Sequence, residues 1–316
     1  MALDLPTHIP QLFKHSSIVK MGGGKERIGQ DVIIVSLDGC GDFDSIQEAI
    51  DSATSDGAII KIKAGTYTLT GLTLKSNITL QGDGFQTILN ISGSANGHID
   101  ITSKSNVTIK DMKINLSGTL SNLSRKWHFD ITGSINLQIK NVSFTNASTK
   151  KAGGDLGFIS VTTAGAITFN LIDCIFTNTG AGDATGVLFD IGLDESTITG
   201  NVADGITNLI QDTGDGYDIT STKITKNLAG GINILGSAGQ NIDKNSFTDN
   251  NLTFLFLGDD GTADNNRITG NYFRAGASSK VYLGANSNNN SVTGNVHDAA
   301  NVDGGAGNVE SGDVRY

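Results

Sequence analysis

Three aspartates, Asp100, Asp130 and Asp190, lie thirty and sixty residues apart inside one small pattern. The segments read His98-Ile99-Asp100-Ile101-Thr102, His128-Phe129-Asp130-Ile131-Thr132 and Leu188-Phe189-Asp190-Ile191-Gly192, with Phe158-Ile159-Ser160-Val161-Thr162 in step between them. Carboxylates on neighbouring layers of a stacked chain, about 4.8 Å apart, can divide acid and base work, one holding a proton while the other stays ionised. A separation of about 5 Å suits a retaining glycosidase, and a two-layer separation such as Asp130 with Asp190 suits an inverting one. Asp100, Asp130, Asp190, His98 and His128 are therefore the candidate catalytic residues. Arg125-Lys126-Trp127 ends the loop that leads into this column and carries the only tryptophan. With Phe158 and Ser160 these residues form the candidate substrate-binding set, because an aromatic face beside polar groups suits a sugar ring. A row of outward Asp, Thr and His on a solvated strand also needs no function, so the column serves equally as plain outer wall.

The same spacing describes the scaffold. Self-similarity at a fixed period of this length marks a stacked repeat, and apolar/polar alternation marks strands with one buried face. Ile99/Ile101, Phe129/Ile131, Ile159/Val161 and Phe189/Ile191 would face a core. Strands at Ile78-Thr79-Leu80, Val107-Thr108-Ile109, Leu137-Gln138-Ile139 and Ile167-Thr168-Phe169 recur in steps of 29, 30 and 30 residues. Shortly after each coil's strand comes an Asn or Asp: Asp111, Asn141, Asp173, Asn201, Asn245, Asn271, Asn295. Such residues tolerate left-handed turns and can ladder when stacked. A parallel β-helix needs one such turn residue per coil.

Composition agrees. The chain has 316 residues, 41 glycines and two prolines, Pro6 and Pro10, both in the first ten positions. Glycine without proline suits tight turns between strands that need every N–H. Net charge is −10 and no basic stripe is visible, which excludes a nucleic-acid footprint. A polyanionic glycan would need a local Lys/Arg groove or bridging cations. Cys40 and Cys174 read as buried thiols, and no ligand spacing predicts a metal. No cofactor is expected. Asp212, Asp215 and Asp218, and in the same way Asp259-Asp260-Gly261, are calcium candidates, but they lack regular ligand spacing and read as solvated turns. No apolar run is long enough to span a membrane, and no signal peptide is visible. An extracellular or virion-surface location is expected.

In chain order, residues 1–30 read as an irregular lead-in. A strand over 31–36 follows, then a helix over 44–52 capped by Asp44 or Ser45 with Ile46, Ala49 and Ile50 on one face. A strand covers 58–63. Coils run to about residue 298, and 299–316 reads as a cap or loose tail. Phe254 and Phe256 are taken to point inward, leaving Leu255 and Leu257 outside with Phe158 and Leu188. Such an apolar stripe asks for a partner, and a side-by-side homotrimer would bury it.

Residues 34–84 resemble the opening of the pectate-lyase-like β-helix superfamily. The likeness rests on Ile34-Val35-Ser36-Leu37-Asp38-Gly39-Cys40-Gly41-Asp42-Phe43-Asp44-Ser45-Ile46-Gln47-Glu48-Ala49-Ile50, on Ala64-Gly65-Thr66-Tyr67 and on Leu80-Gln81-Gly82-Asp83-Gly84. Pectin methylesterases and phage tail-spike proteins open this way. The resemblance implies a helix that caps the first coil, with the Ala-Gly-Thr-Tyr strand starting that coil. It does not carry an activity over. Gly186-Val187-Leu188-Phe189-Asp190-Ile191-Gly192 departs from the pectin methylesterase catalytic segment, and no pectate-lyase arginine segment or alginate-epimerase segment is found.

The expected fold is all-β: a single-stranded right-handed parallel β-helix of about nine coils with an N-terminal capping α-helix. The expected function is attachment to or recognition of glycans at a virion or cell surface, as in tail spikes. A polysaccharide hydrolase or lyase is the alternative, and a purely structural shaft is the third reading.

Overall fold

A computed structural model describes residues 31–54, 56–92, 98–120, 125–130, 135–147, 149–150, 155–162, 167–179, 184–185, 187–190, 193–204, 206, 208–212, 218–234, 240–258, 261–274, 281–297, 302–303 and 306–315. Every strand pair recorded among them is parallel, and each strand pairs with its counterpart in the next turn of the chain, as at Ile78↔Val107 and Ile268↔Val292. That is a parallel β-helix.

The chain enters as its first residues dictate. Val32–Val35 pairs with Ala58–Ile62. Between them, helix α1 (Ile46–Ser52) starts at Ser45, whose side chain accepts the Glu48 N–H at 3.3 Å, an N-cap bond. Ile46, Ala49 and Ile50 are fully buried on its one apolar face. The helix closes the open end of the core, as the resemblance implies.

Four outer faces wrap one apolar core. Sheet I is the long stack that contains 58–62, 78–82, 105–117, 135–146, 169–172, 197–199, 223–225, 246–248, 267–269, 291–293 and 309–311. Sheet II stacks 72–73, 99–100, 125–130, 155–162, 187–190, 208–212, 231–234, 254–257, 281–283 and 302–303. Sheet III stacks 193–194, 219–220, 241–243 and 262–264. Sheet IV stacks 251–252, 272–273, 296–297 and 314–315, and single bridges at Leu228 join it to 175–178 and 202–204. Pairing includes 302–303, 309–311 and 314–315, within the segment expected as a cap or loose tail.

Two corners of the later coils are built the same way. At the corner between sheets I and IV a left-handed residue (Gly200, Lys226, Asp249, Gly270, Gly294, Gly312) precedes a side chain turned into the core: Asn201, Asn227, Asn250, Asn271, Asn295, Asp313. Each asparagine Nδ2 donates to the Oδ1 of the next rung, at 2.9 Å for Asn201 to Asn227 through Asn271 to Asn295 and at 3.3 Å onto Asp313. Donation runs one way, so the final rung needs only acceptors. A carboxylate supplies them, with its second oxygen 3.3 Å from the buried His297 ring. At the corner between sheets III and I, Asn245, Asn266, Asn290 and Asn308 form a second ladder at 2.9–3.0 Å.

The expected turn residues therefore divide. Asp111, Asn141 and Asp173 are left-handed turn residues, whereas Asn201, Asn245, Asn271 and Asn295 are buried rungs following one, and Asn245 belongs to the second corner. Cys174 is buried as expected, but Cys40 is exposed in the turn after Val32–Val35.

Candidate functional site

Sheet II carries the predicted aspartates, and its register defines one file of residues. Thr73 pairs with Asp100, Asp100 with Asp130, Asp130 with Ser160, Ser160 with Leu188, Leu188 with Gln211, Gln211 with Asn233, Asn233 with Phe256, and Phe256 with Tyr282. Asp100 and Asp130 are thus neighbours, as their spacing predicts. Asp190 is not in their file. It pairs with Thr162, two positions along, because the step from Ser160 to Leu188 is 28 residues. The two-layer pair of Asp130 with Asp190 is therefore not formed in register. The same region moves Phe169 rather than Ile167 opposite Leu137.

The flanking residues also differ from expectation. His98 is buried, not outward beside Asp100, and its carbonyl accepts the Leu72 N–H at 2.8 Å. Strand alternation does not fix its direction, because the strand begins only at Ile99. The Asp100 carboxylate accepts its own Thr102 N–H at 2.8 Å, a local turn bond that employs one of its oxygens structurally. Strands 125–130, 155–162 and 187–190 are placed by backbone register. Lys126 and His128 share the parity of Asp130. Arg125 and Trp127 share that of Phe129, whose neighbour Ile99 is buried. Arg125 stands opposite Asp155, and Trp127 opposite Gly157. Phe158 and Ser160 keep the parity of the acidic file. Residues 213–217 and 259–260, within the calcium candidates, lie outside the described residues, and Asp218 is exposed and accepts the Asn241 N–H at 2.8 Å. No group of three or more metal-capable side chains gathers among the described residues.

Further along the file an aromatic group appears that sequence reading placed inside. Leu255 and Leu257 are fully buried, and Phe254 and Phe256 are the half-buried outer residues. Their ring centroids are 5.1 Å apart at 61°, and Phe256 lies 5.2 Å from Tyr282 at 46°. Both spacings fall within the usual range for interacting aromatic pairs. Gly231 pairs with Phe254, and the Phe254 ring lies over it. Asn233 precedes Phe256 in the file, and its Oδ1 accepts no hydrogen bond. One end of the file is acidic and the other is an aromatic shelf with an amide beside it.

No family model matches the chain. Over 70 residues it is 40% identical to "Probable pectinesterase/pectinesterase inhibitor 17" of Arabidopsis thaliana, a stretch that spans 22% of this chain and 14% of the relative. Among solved structures it is similar to a mutant tailspike protein of E. coli bacteriophage HK620 in complex with a pentasaccharide: TM-score 0.46, 14% identity, covering 84% of this chain and 60% of that one. It is also similar to an alginate lyase from Paenibacillus: TM-score 0.36, 13% identity, covering 90% of this chain and 99% of that one. These are pectate-lyase-like parallel β-helix proteins. No helix among the described residues is long and apolar enough to cross a membrane.

Proposed function

We propose that the protein recognises glycans on the outer face of sheet II, with Phe254, Phe256 and Tyr282 as the contact shelf. The observation that carries this is the aromatic file itself. Three rings stand in contact on an outer β-helix face, one of them seated over a glycine. Aromatic rings pack on the apolar faces of sugars while neighbouring amides bond the hydroxyls. Asn233 lies in the same file, one coil away. The 70-residue likeness to a pectinesterase points to the same ligand class. Attachment or recognition is the reading rather than turnover, because the shelf stands several coils from the pairing of Asp100 with Asp130.

The test is binding by calorimetry to a panel of capsular and plant polysaccharides. Phe256→Ala and Tyr282→Ala should each weaken binding about tenfold, the equivalent of ~1.4 kcal/mol, with unchanged circular dichroism. Binding that survives both substitutions would remove the shelf from consideration. A second reading, a hydrolase or lyase, is favoured by the direct pairing of Asp100 with Asp130. It predicts new reducing ends or unsaturated uronate absorbance from the same panel, abolished by Asp130→Asn.

A further inference from the structure

Sheet IV and the strands bridged to it carry a second file, and it is apolar on the outside. Register links Ser143, Ile175, Val202, Leu228, Asn251, Tyr272, Val296 and Val314 in successive coils. Ile175 is 37% exposed, Val202 36%, Leu228 40%, Tyr272 43% and Val314 57%. Sheet I, on the other side of the asparagine corner, supplies an internal comparison. Its outward file at the same depth reads Thr199, Thr225, Thr248, Thr269, Thr293 and Ser311. Both files have the same strand geometry, so β propensity does not explain why one is threonine and the other aliphatic. A contiguous exposed apolar file marks a contact surface. At its middle the Oδ1 of Asn251 is buried and accepts no hydrogen bond.

The charges beside the file say what covers it. On the corner side, the left-handed ridge reads Asp173, Gly200, Lys226, Asp249, Gly270 and Gly294. On the other side, Thr177 pairs with Asp204, and Thr253 and Arg274 occupy the same file in later coils. Two copies can be laid face to face, antiparallel, about a two-fold axis that crosses the file between Leu228 and Asn251. Leu228 then meets the partner's Asn251, Val202 the partner's Tyr272, Ile175 the partner's Val296, and Ser143 the partner's Val314. All eight coils are used. On the ridge, Lys226 meets the partner's Asp249. On the opposite rim, Asp204 lies level with the partner's Arg274, whose guanidinium donates within its own chain to the Ala229 carbonyl. A single axis thus satisfies the apolar overlap and the two symmetry-related Lys226–Asp249 pairs, which is what an isologous interface requires. Neither Lys226 nor Asp249 has an ion pair within its own chain, and the Asp249 carboxylate leans over Gly270, away from Lys226.

We infer that this face is an antiparallel, two-fold homodimer interface. Eight coils spaced about 4.8 Å and three files wide give a flat footprint of roughly 500 Å² per copy. A standard interface buries about 800 Å² per partner. Association in the micromolar range is therefore expected. A parallel trimer would set each residue against its own level in the neighbour and would pair none of these charges.

Sedimentation velocity of the full chain from 1 to 200 μM tests the inference. A monomer–dimer equilibrium is expected. Leu228→Glu should abolish it. Lys226→Asp and Asp249→Lys should each raise the dissociation constant at least tenfold, and the double swap should restore it to within about threefold. Thermal melts of each variant separate lost association from lost folding. A monomer throughout, a trimer, or a double swap no better than its parents would each overturn the antiparallel dimer.

Discussion

The ring of Phe254 occupies the space that a side chain at Gly231 would need: a Cβ there would lie 2.0 Å from Phe254 Cζ and 2.3 Å from Cε2. Gly231 carries no positive φ, so its backbone accepts alanine and only the ring must move. Gly231→Ala should therefore fold, cost about 1–2 kcal/mol as an overpacking change, and weaken glycan binding by displacing the shelf. If that is the cause, Phe254→Ala and Gly231→Ala are not additive. The binding loss of the double variant should equal that of Phe254→Ala alone, measured by the same calorimetry in a double-mutant cycle. Additive losses would show that Gly231 acts elsewhere.

The error in placing these phenylalanines has a physical origin. Alternation fixes the buried face only when one face is polar, as in Ile78-Thr79-Leu80, where Ile78 and Leu80 are buried. Leu252-Thr-Phe-Leu-Phe-Leu257 is apolar on both faces, so either phase fits the pattern, and the choice falls to packing against Ile232 and Val281. Period was equally readable until loop lengths changed. Asp100 and Asp130 stand in register, whereas Asp190 slips by two residues because the connection after Asn178 is shorter. Helix α1 was legible to its cap, since Ser45 and the apolar spacing of 46, 49 and 50 are local signals. The ladder asparagines were legible as a recurrence able to ladder, but not as the residue that follows the left-handed corner. Thr-x-Asn recurs at 199–201, 225–227, 248–250, 269–271 and 293–295, marking strand end, left-handed corner and rung in order.

Asn250 shows what a rung contributes. Its Oδ1 accepts both the backbone N–H and the Nδ2 of Asn227, and its own Nδ2 donates to the Ile224 carbonyl and to Asn271. Asn250→Ala would strand several buried polar groups at once. With unmet buried groups costing about 1–3 kcal/mol each, a loss of roughly 3 kcal/mol is expected from urea unfolding. Asn106→Gly removes exposed amide bonds to Asn77 and from Asn136 but keeps the left-handed backbone, and should cost less than about 1 kcal/mol. Equal costs would mean that the ladder is incidental to stability.

The turn after the first strand should confer an acid-sensitive increment. The Ser36 hydroxyl donates to Asp38 at 2.6 Å and the Cys40 N–H at 2.8 Å, and these bonds, the hydroxyl first, hold the Asp38 carboxyl below its usual range. Unfolding returns it to an ordinary value of about 3.9. The folded pKa is the lower one, so the increment is complete above the unfolded pKa and is lost as pH falls through the folded one. Urea midpoints of the wild type and Asp38→Asn should therefore differ most near neutrality and converge below about pH 4. A gap that stays constant down to pH 3 would assign the effect to shape, not charge.

Cys174 stands where a seventh rung would be. Its N–H donates to Asn201 Oδ1 at 2.9 Å, as Asn201 N–H does to Asn227. Its thiol lies 3.3 Å from the Ile172 carbonyl and 3.7 Å from the Ile139 carbonyl. That carbonyl is the counterpart of Leu171 O and Ile198 O, which the next two rungs bond through Nδ2. The thiol thus fills an amide's place with weaker bonds. Burial pushes its pKa up to about 12, whereas Cys40 is exposed, so a thiol reagent should modify one cysteine per native chain and the second only on unfolding. Cys174→Asn should extend the ladder and match or exceed wild-type stability. Cys174→Ala should lose about 1–3 kcal/mol by removing the thiol from the Ile139 and Ile172 carbonyls. Denaturant unfolding of the two variants decides the matter. If alanine is tolerated as well as asparagine, the cysteine is packing alone and the ladder begins at Asn201.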